Sequence, residues 1–95
     1  MSDAIYLRPC PNQSVQFVRN DEAFTVEINS RLGKLYATVT SDKEGLIVAN
    51  RVCLNRAPIT KNLVFVDLHG NEHPNYEGLG SRFLVCWVND EAQAN

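Results

Sequence analysis

Alternation of apolar and polar side chains constrains this chain more than any other feature. Val15, Phe17, Phe24, Val26 and Ile28 are apolar, while Ser14, Gln16, Thr25 and Glu27 between them are polar. A period of two sends successive side chains to opposite faces of a strand, so the pattern predicts a half-buried antiparallel sheet. Asn20-Asp21 separates the two runs and suits a type I′ turn, which needs positive φ at both positions. With Arg19 opposite Glu22, Phe17 faces Phe24 and Val15 faces Val26. A slip by one residue would throw the apolar set onto the wrong face.

The same reasoning extends the sheet. Leu35, Ala37 and Val39 alternate with Tyr36, Thr38 and Thr40. They join the face of Val26 and Ile28 only if the intervening loop holds an even number of residues. Leu32-Gly33 satisfies this, with Gly33 available for positive φ. Ile28 then opposes Ala37, and Val26 opposes Val39. The four-residue turn Asp42-Lys43-Glu44-Gly45 places Val48 against Val39 and Val52 against Leu35, completing a four-strand meander.

Beyond Leu54 the alternation stops. Asn55-Arg56-Ala57-Pro58 reads as a loop, because Pro58 biases Ala57 away from helix. Leu63 to Leu68 and Arg82 to Val88 read as strands with apolar residues on both sides, as inside a sandwich or barrel. Residues 69–81, rich in glycine and charge, form the longest irregular stretch, and loops of that length are often functional. Ile5-Tyr6-Leu7-Arg8 is one further strand candidate, stopped by Pro9 and Pro11. No segment shows a helical period. The expectation is an all-β chain: a small antiparallel β-sandwich or partly open barrel of six or seven short strands. At 95 residues it is expected to be a single domain over 1–95, with 1–4 and 89–95 frayed.

Charge and cysteine usage exclude several classes of function. Nine basic against eleven acidic side chains give a net charge of −2, whereas nucleic-acid binding usually draws on a basic surplus. No apolar run approaches the ~18 residues that span a bilayer, and Met1-Ser2-Asp3-Ala4 shows no signal-peptide pattern. The expected partners therefore include no nucleic acid and no membrane. Cys10, Cys53 and Cys86 are odd in number and form no C-x-x-C pair. That argues against a disulfide framework or zinc ribbon and for synthesis in a reducing cytoplasm. Cys53 and Cys86 read as small buried residues within strands.

Ionisable side chains cluster once, in Asp67-Leu68-His69-Gly70-Asn71-Glu72-His73. Asp67, His69 and His73 are the types that bind zinc. Their spacing in a glycine-containing loop is weak, and the expectation is no metal and no cofactor. Cys86 lies in Phe83-Leu84-Val85-Cys86-Trp87, a context that predicts burial and an inert thiol. No Gly-x-Ser-x-Gly or phosphate-binding loop is present, so no catalytic residue is assigned and no enzyme is expected. The alternative to a structural role is a small oligonucleotide-binding β-barrel, in which Tyr36 flanked by Arg31 and Lys34 would stack a base.

A series of short motifs carries a resemblance. Leu7-Arg8-Pro9-Cys10-Pro11-Asn12-Gln13-Ser14 holds a Pro-Asn-Gln opening, followed by the hairpin through Phe24–Asn29 and by Arg31-Leu32-Gly33. Lys43-Glu44-Gly45 precedes a strand ending in Arg51-Val52, and Leu63–Asp67 is followed by Gly70. A Pro-x-Tyr-x-x-Leu-Gly-x-Arg motif then runs from Pro74 through Tyr76, Leu79 and Gly80 to Arg82. In this order, from Leu7 to Val88, the chain resembles the phage baseplate plug family. The pattern departs at Leu35, where members often carry tryptophan, and neither the cysteines nor His69 and His73 have a place in it.

The resemblance implies a virion structural protein of a contractile phage tail. It would be made in the host cytoplasm, be present in several copies and sit with hub and tail-tube proteins along the tail axis. It also implies a partner-binding role for Tyr76, Leu79 and Arg82. Two readings of that motif stand side by side. Gly78 and Gly80 serve the turn while Leu79 plugs the sandwich end and Tyr76 covers it, or the loop is a docking surface for the hub.

Overall fold

The computed structural model describes residues 2–88. Its eight strands are β1 (Ser2–Ile5), β2 (Asn12–Arg19), β3 (Glu22–Arg31), β4 (Lys34–Ser41), β5 (Gly45–Val52), β6 (Pro58–Thr60), β7 (Leu63–Asp67) and β8 (Phe83–Val88). They form two four-stranded antiparallel sheets, ordered β2-β3-β4-β5 and β1-β8-β7-β6. The architecture is an open sandwich, the first of the two forms expected.

The meander follows the alternation. Asn20 and Asp21 have φ of 53° and 61°, as a type I′ turn requires. Arg19 opposes Glu22, Phe17 opposes Phe24 and Val15 opposes Val26. The Phe17 and Phe24 rings stack with centroids 5.5 Å apart, and Trp87 of the other sheet closes on both. Leu32-Gly33 turns the chain so that Ile28 meets Ala37 and Val26 meets Val39.

Register changes in β5. Val48 opposes Val39 as expected, but Val52 opposes Tyr36 rather than Leu35. Two irregularities on either side of Val39 shift the pairing, as bulges do when one strand carries an extra residue. Asn50 takes a positive φ of 49°, and its N–H donates to Thr38 Oγ1 at 3.0 Å. Ser41 pairs with Gly45, so the turn holds three residues rather than four.

The second sheet differs more from the sequence expectation. Residues 2–4, expected to fray, belong to β1 and pair with β8; Met1 and 89–95 lie outside the described residues. The leader strand is Ser2–Ile5, not residues 5–8, although Leu7 remains buried. Pro58 opens β6 at a sheet edge, the strand position that tolerates a missing N–H. Periodicity could not register these short strands.

Between the sheets lies the core: Phe24, Val26, Ile28, Leu35, Ala37 and Val39 face Ile59, Leu63, Phe65, Phe83, Val85 and Trp87. The outer faces contrast. Ser14, Gln16, Thr25, Glu27, Thr38 and Thr40 cover most of the meander, with Val18 and Leu46 exposed among them, while Val64, Val66, Leu84, Cys86 and Val88 stand half-buried on the other sheet. Cys86 is thus an outer-face residue, not the core residue its apolar context predicted. Cys53 is buried.

Candidate functional site

The loop between β7 and β8 is organised around Asp67. This carboxylate ends β7 on the core-facing side, with its side chain fully buried. Arg82 grips it in two parallel bonds, Nε to Oδ1 and Nη2 to Oδ2, both 2.8 Å. The N–H groups of His69 and Glu72 donate to the same two oxygens at 2.9 Å each. Bidentate pairing with additional amide donors strongly favours the charged form. The Arg82 guanidinium, followed by those amides, therefore holds the Asp67 carboxyl well below the usual range despite burial. Glu72 adds a second carboxylate to Arg82 at 2.7 Å. One buried charge thereby folds the first half of the loop back on itself.

The Pro-x-Tyr-x-x-Leu-Gly-x-Arg motif forms the second half. Pro74 is buried, and Asn75 Oδ1 accepts the N–H of Gly78, capping the short 3₁₀ turn Tyr76–Gly78. A Cβ at Gly78 would stand 2.6 Å from the Phe83 ring. Gly80 has a positive φ of 84°, and a Cβ there would stand 2.5 Å from the Leu7 carbonyl oxygen. Leu79 is 2 % exposed and fills the core, while Tyr76 packs half-buried against it. Of the three partner-binding candidates, Leu79 thus points inward, Arg82 is held by Asp67 and Glu72, and Tyr76 keeps a partly exposed ring.

The structure does not bring Asp67, His69 and His73 together as ligands. Asp67 is saturated by Arg82 and two amides. His73 Nδ1 instead accepts the N–H of Asn55 at 3.1 Å, and Asn55 Oδ1 accepts the N–H of Asp67 at 2.9 Å. His73 therefore ties the β5–β6 connection to this loop. No group of three metal-ligating side chains occurs among the described residues. Cys86 stands opposite Val64, well back along β7 from His69.

Tyr36, the one candidate for base stacking, has its ring covered by Arg31, whose guanidinium carbon lies 4.5 Å from the centroid. A cleft of about 510 Å³ opens between β5 and β6 over Phe24, Ile47, Val48, Ile59 and Trp87. Its rim mixes Arg51 and Lys61 with Glu22 and Glu44. The cleft rim thus mixes both signs, and the Tyr36 ring is already covered by a cation of its own chain.

Sequence reasoning missed Gln13. Its amide accepts the Arg8 N–H at 2.9 Å and donates to the carbonyls of Arg8 and Cys10, clamping the loop before β2. The signal was present in the Pro-Asn-Gln opening. What was lacking was knowledge that Arg8–Pro11 turns sharply enough for a side chain to replace backbone partners.

With the geometry in place, comparison with known proteins adds one positive finding. A family model described as "Cyanophage baseplate Pam3 plug gp18" matches residues 3–91, nearly the whole chain. No curated protein matches it.

Proposed function

Because the chain belongs to the baseplate plug family, its role is that of a structural protein of the phage tail baseplate, and within that role we propose a non-enzymatic plug. In this reading several copies associate with hub and tail-tube proteins of a contractile tail, on the tail axis, after synthesis in the host cytoplasm. The match over residues 3–91 is the observation that carries it.

The structure supports the reading in a specific way. The most distinctive motif of the resemblance is spent on rigidity: Gly78, Leu79, Gly80 and Arg82 all hold one long loop in one shape. A preordered loop loses little entropy when it docks, which suits a permanent assembly part. Tyr76 is the residue of that loop placed to contact a neighbour. Covering of Tyr36 by Arg31, together with a net charge of −2, favours this reading over the oligonucleotide-binding barrel.

Deleting the gene from the phage tests the proposal. Tails that fail to complete a baseplate are expected, with infectivity restored by the chain supplied in trans. Infectious particles with normal baseplates would contradict it. Micromolar binding of single-stranded DNA that weakens steeply with salt would favour the alternative instead.

A further inference from the structure

The two ends of β3 turn in the same way but with different residues. At Asn20-Asp21 both residue types suit positive φ, and Arg19 faces Glu22 across the strands. At Leu32-Gly33 the local rules are broken. Leu32 takes a φ of 52°, a left-handed conformation that a leucine Cβ opposes and that asparagine, aspartate or glycine accepts. Its side chain is fully exposed, more so than any other large apolar residue described. Arg31 faces Lys34 across the hairpin, where like charges repel. Among the described residues neither cation is paired with a carboxylate, and Arg31 lies over the Tyr36 ring instead.

None of these choices serves the free chain. Departures from local preference that collect at one point mark a contact site. Here the strained turn holds Leu32 at the apex, and its exposure ends when apolar side chains enclose it. The repulsion between Arg31 and Lys34 ends when carboxylates meet them.

We propose that the β3–β4 tip is a docking knob: Leu32 enters an apolar pocket on a neighbouring baseplate protein, and carboxylates on the pocket rim meet Arg31 and Lys34. The proposal rests on the baseplate reading above and adds which surface is used and what chemistry it meets. A second copy of this chain fits that description poorly. Its apolar cleft over Phe24 and Trp87 carries Arg19, Arg51 and Lys61 on the rim against Glu22 and Glu44, the wrong balance for a basic tip. A lipid surface fits no better, because one leucine buries less than the single acyl chain that itself anchors only marginally.

Substitution at the tip separates docking from folding, because the expected effects have opposite signs. Leu32→Asn supplies a residue the turn prefers, so the free chain should melt at the same temperature or higher. Its incorporation into tails, in competition with the native chain, should fall about ten-fold or more, the effect of one buried leucine. Leu32→Met keeps an apolar side chain and should enter tails at the native level. Lys34→Glu gives Arg31 an opposite charge across the hairpin. It should fold as well as the native chain yet enter tails about ten-fold less. Equal incorporation of Leu32→Asn or Lys34→Glu would overturn the proposal, as would a lower melting temperature for Leu32→Asn. So would self-association, or binding to phosphatidylglycerol vesicles, that Leu32→Asn abolishes, since the occupant would then be a second copy or a bilayer. Tails that lack the native chain altogether would instead sink the baseplate reading on which the proposal stands.

Discussion

At Gly80, backbone conformation and close packing act together. Alanine there must adopt a left-handed φ, which costs about 1–2 kcal/mol, and must also displace the Leu7 carbonyl. Gly33 has a similar φ of 79°, but a Cβ there would meet nothing within 4 Å, so its alanine variant carries only the first cost. Denaturant titration should therefore show Gly80→Ala losing clearly more stability than Gly33→Ala. Equal losses would mean that the Leu7 segment yields freely. Asp67 governs the acid response. Its folded pKa lies below the unfolded value of about 3.9, so its contribution is complete above the unfolded pKa and is lost as pH falls from there through the folded one. Urea midpoints of the native chain should drop on acidification below about pH 4, and Asp67→Asn should flatten that part of the profile. An unchanged profile would remove Asp67 from this role. Asp67 was legible as a chemistry-bearing residue, but its partner was not, because Arg82 lies across a loop that no periodicity spans.

At the scale of elements, the β2–β3 hairpin shows what alternation can specify. Turn type, register and the Phe17–Phe24 pair all follow from one pattern, because only one pairing satisfies both the turn and the apolar face. Phe24 is 6 % exposed and touches both Phe17 and Trp87. Phe24→Ala should cost about 3–5 kcal/mol, and Phe17→Ala less, since that ring is only half-buried. Thermal or chemical unfolding of the two variants checks the order, and a reversed order would contradict the packing described. The same logic weakens at β5, where Asn50 enters the left-handed region and the register shifts. It fails at β6, whose three residues are too few to show a period. Cys86 was misplaced for a related reason. Apolar residues on both sides of β8 look alike in sequence whether or not a second layer of this chain covers the outer side, and here none does.

For the molecule as a whole, the sandwich form was legible in the spacing of strands and turns, but strand order was not. β1 pairs with β8, so the two ends of the described chain share a sheet, a long-range pairing that no local signal announces. Tyr76 now separates the two readings of the loop. Tyr76→Ala should lower incorporation into tails more than it lowers the melting temperature, and a large loss of stability with normal incorporation would make the ring a core cover only. Function was legible only through the ordered motifs from Leu7 to Val88; composition and periodicity stop at an acidic all-β chain. The measurement that tests the central claim most directly is a cryo-electron microscopy reconstruction of the tail tip of the phage that encodes this chain. The two four-stranded sheets should fit density within the baseplate on the tail axis. A complete baseplate with no density for this sandwich would contradict the account.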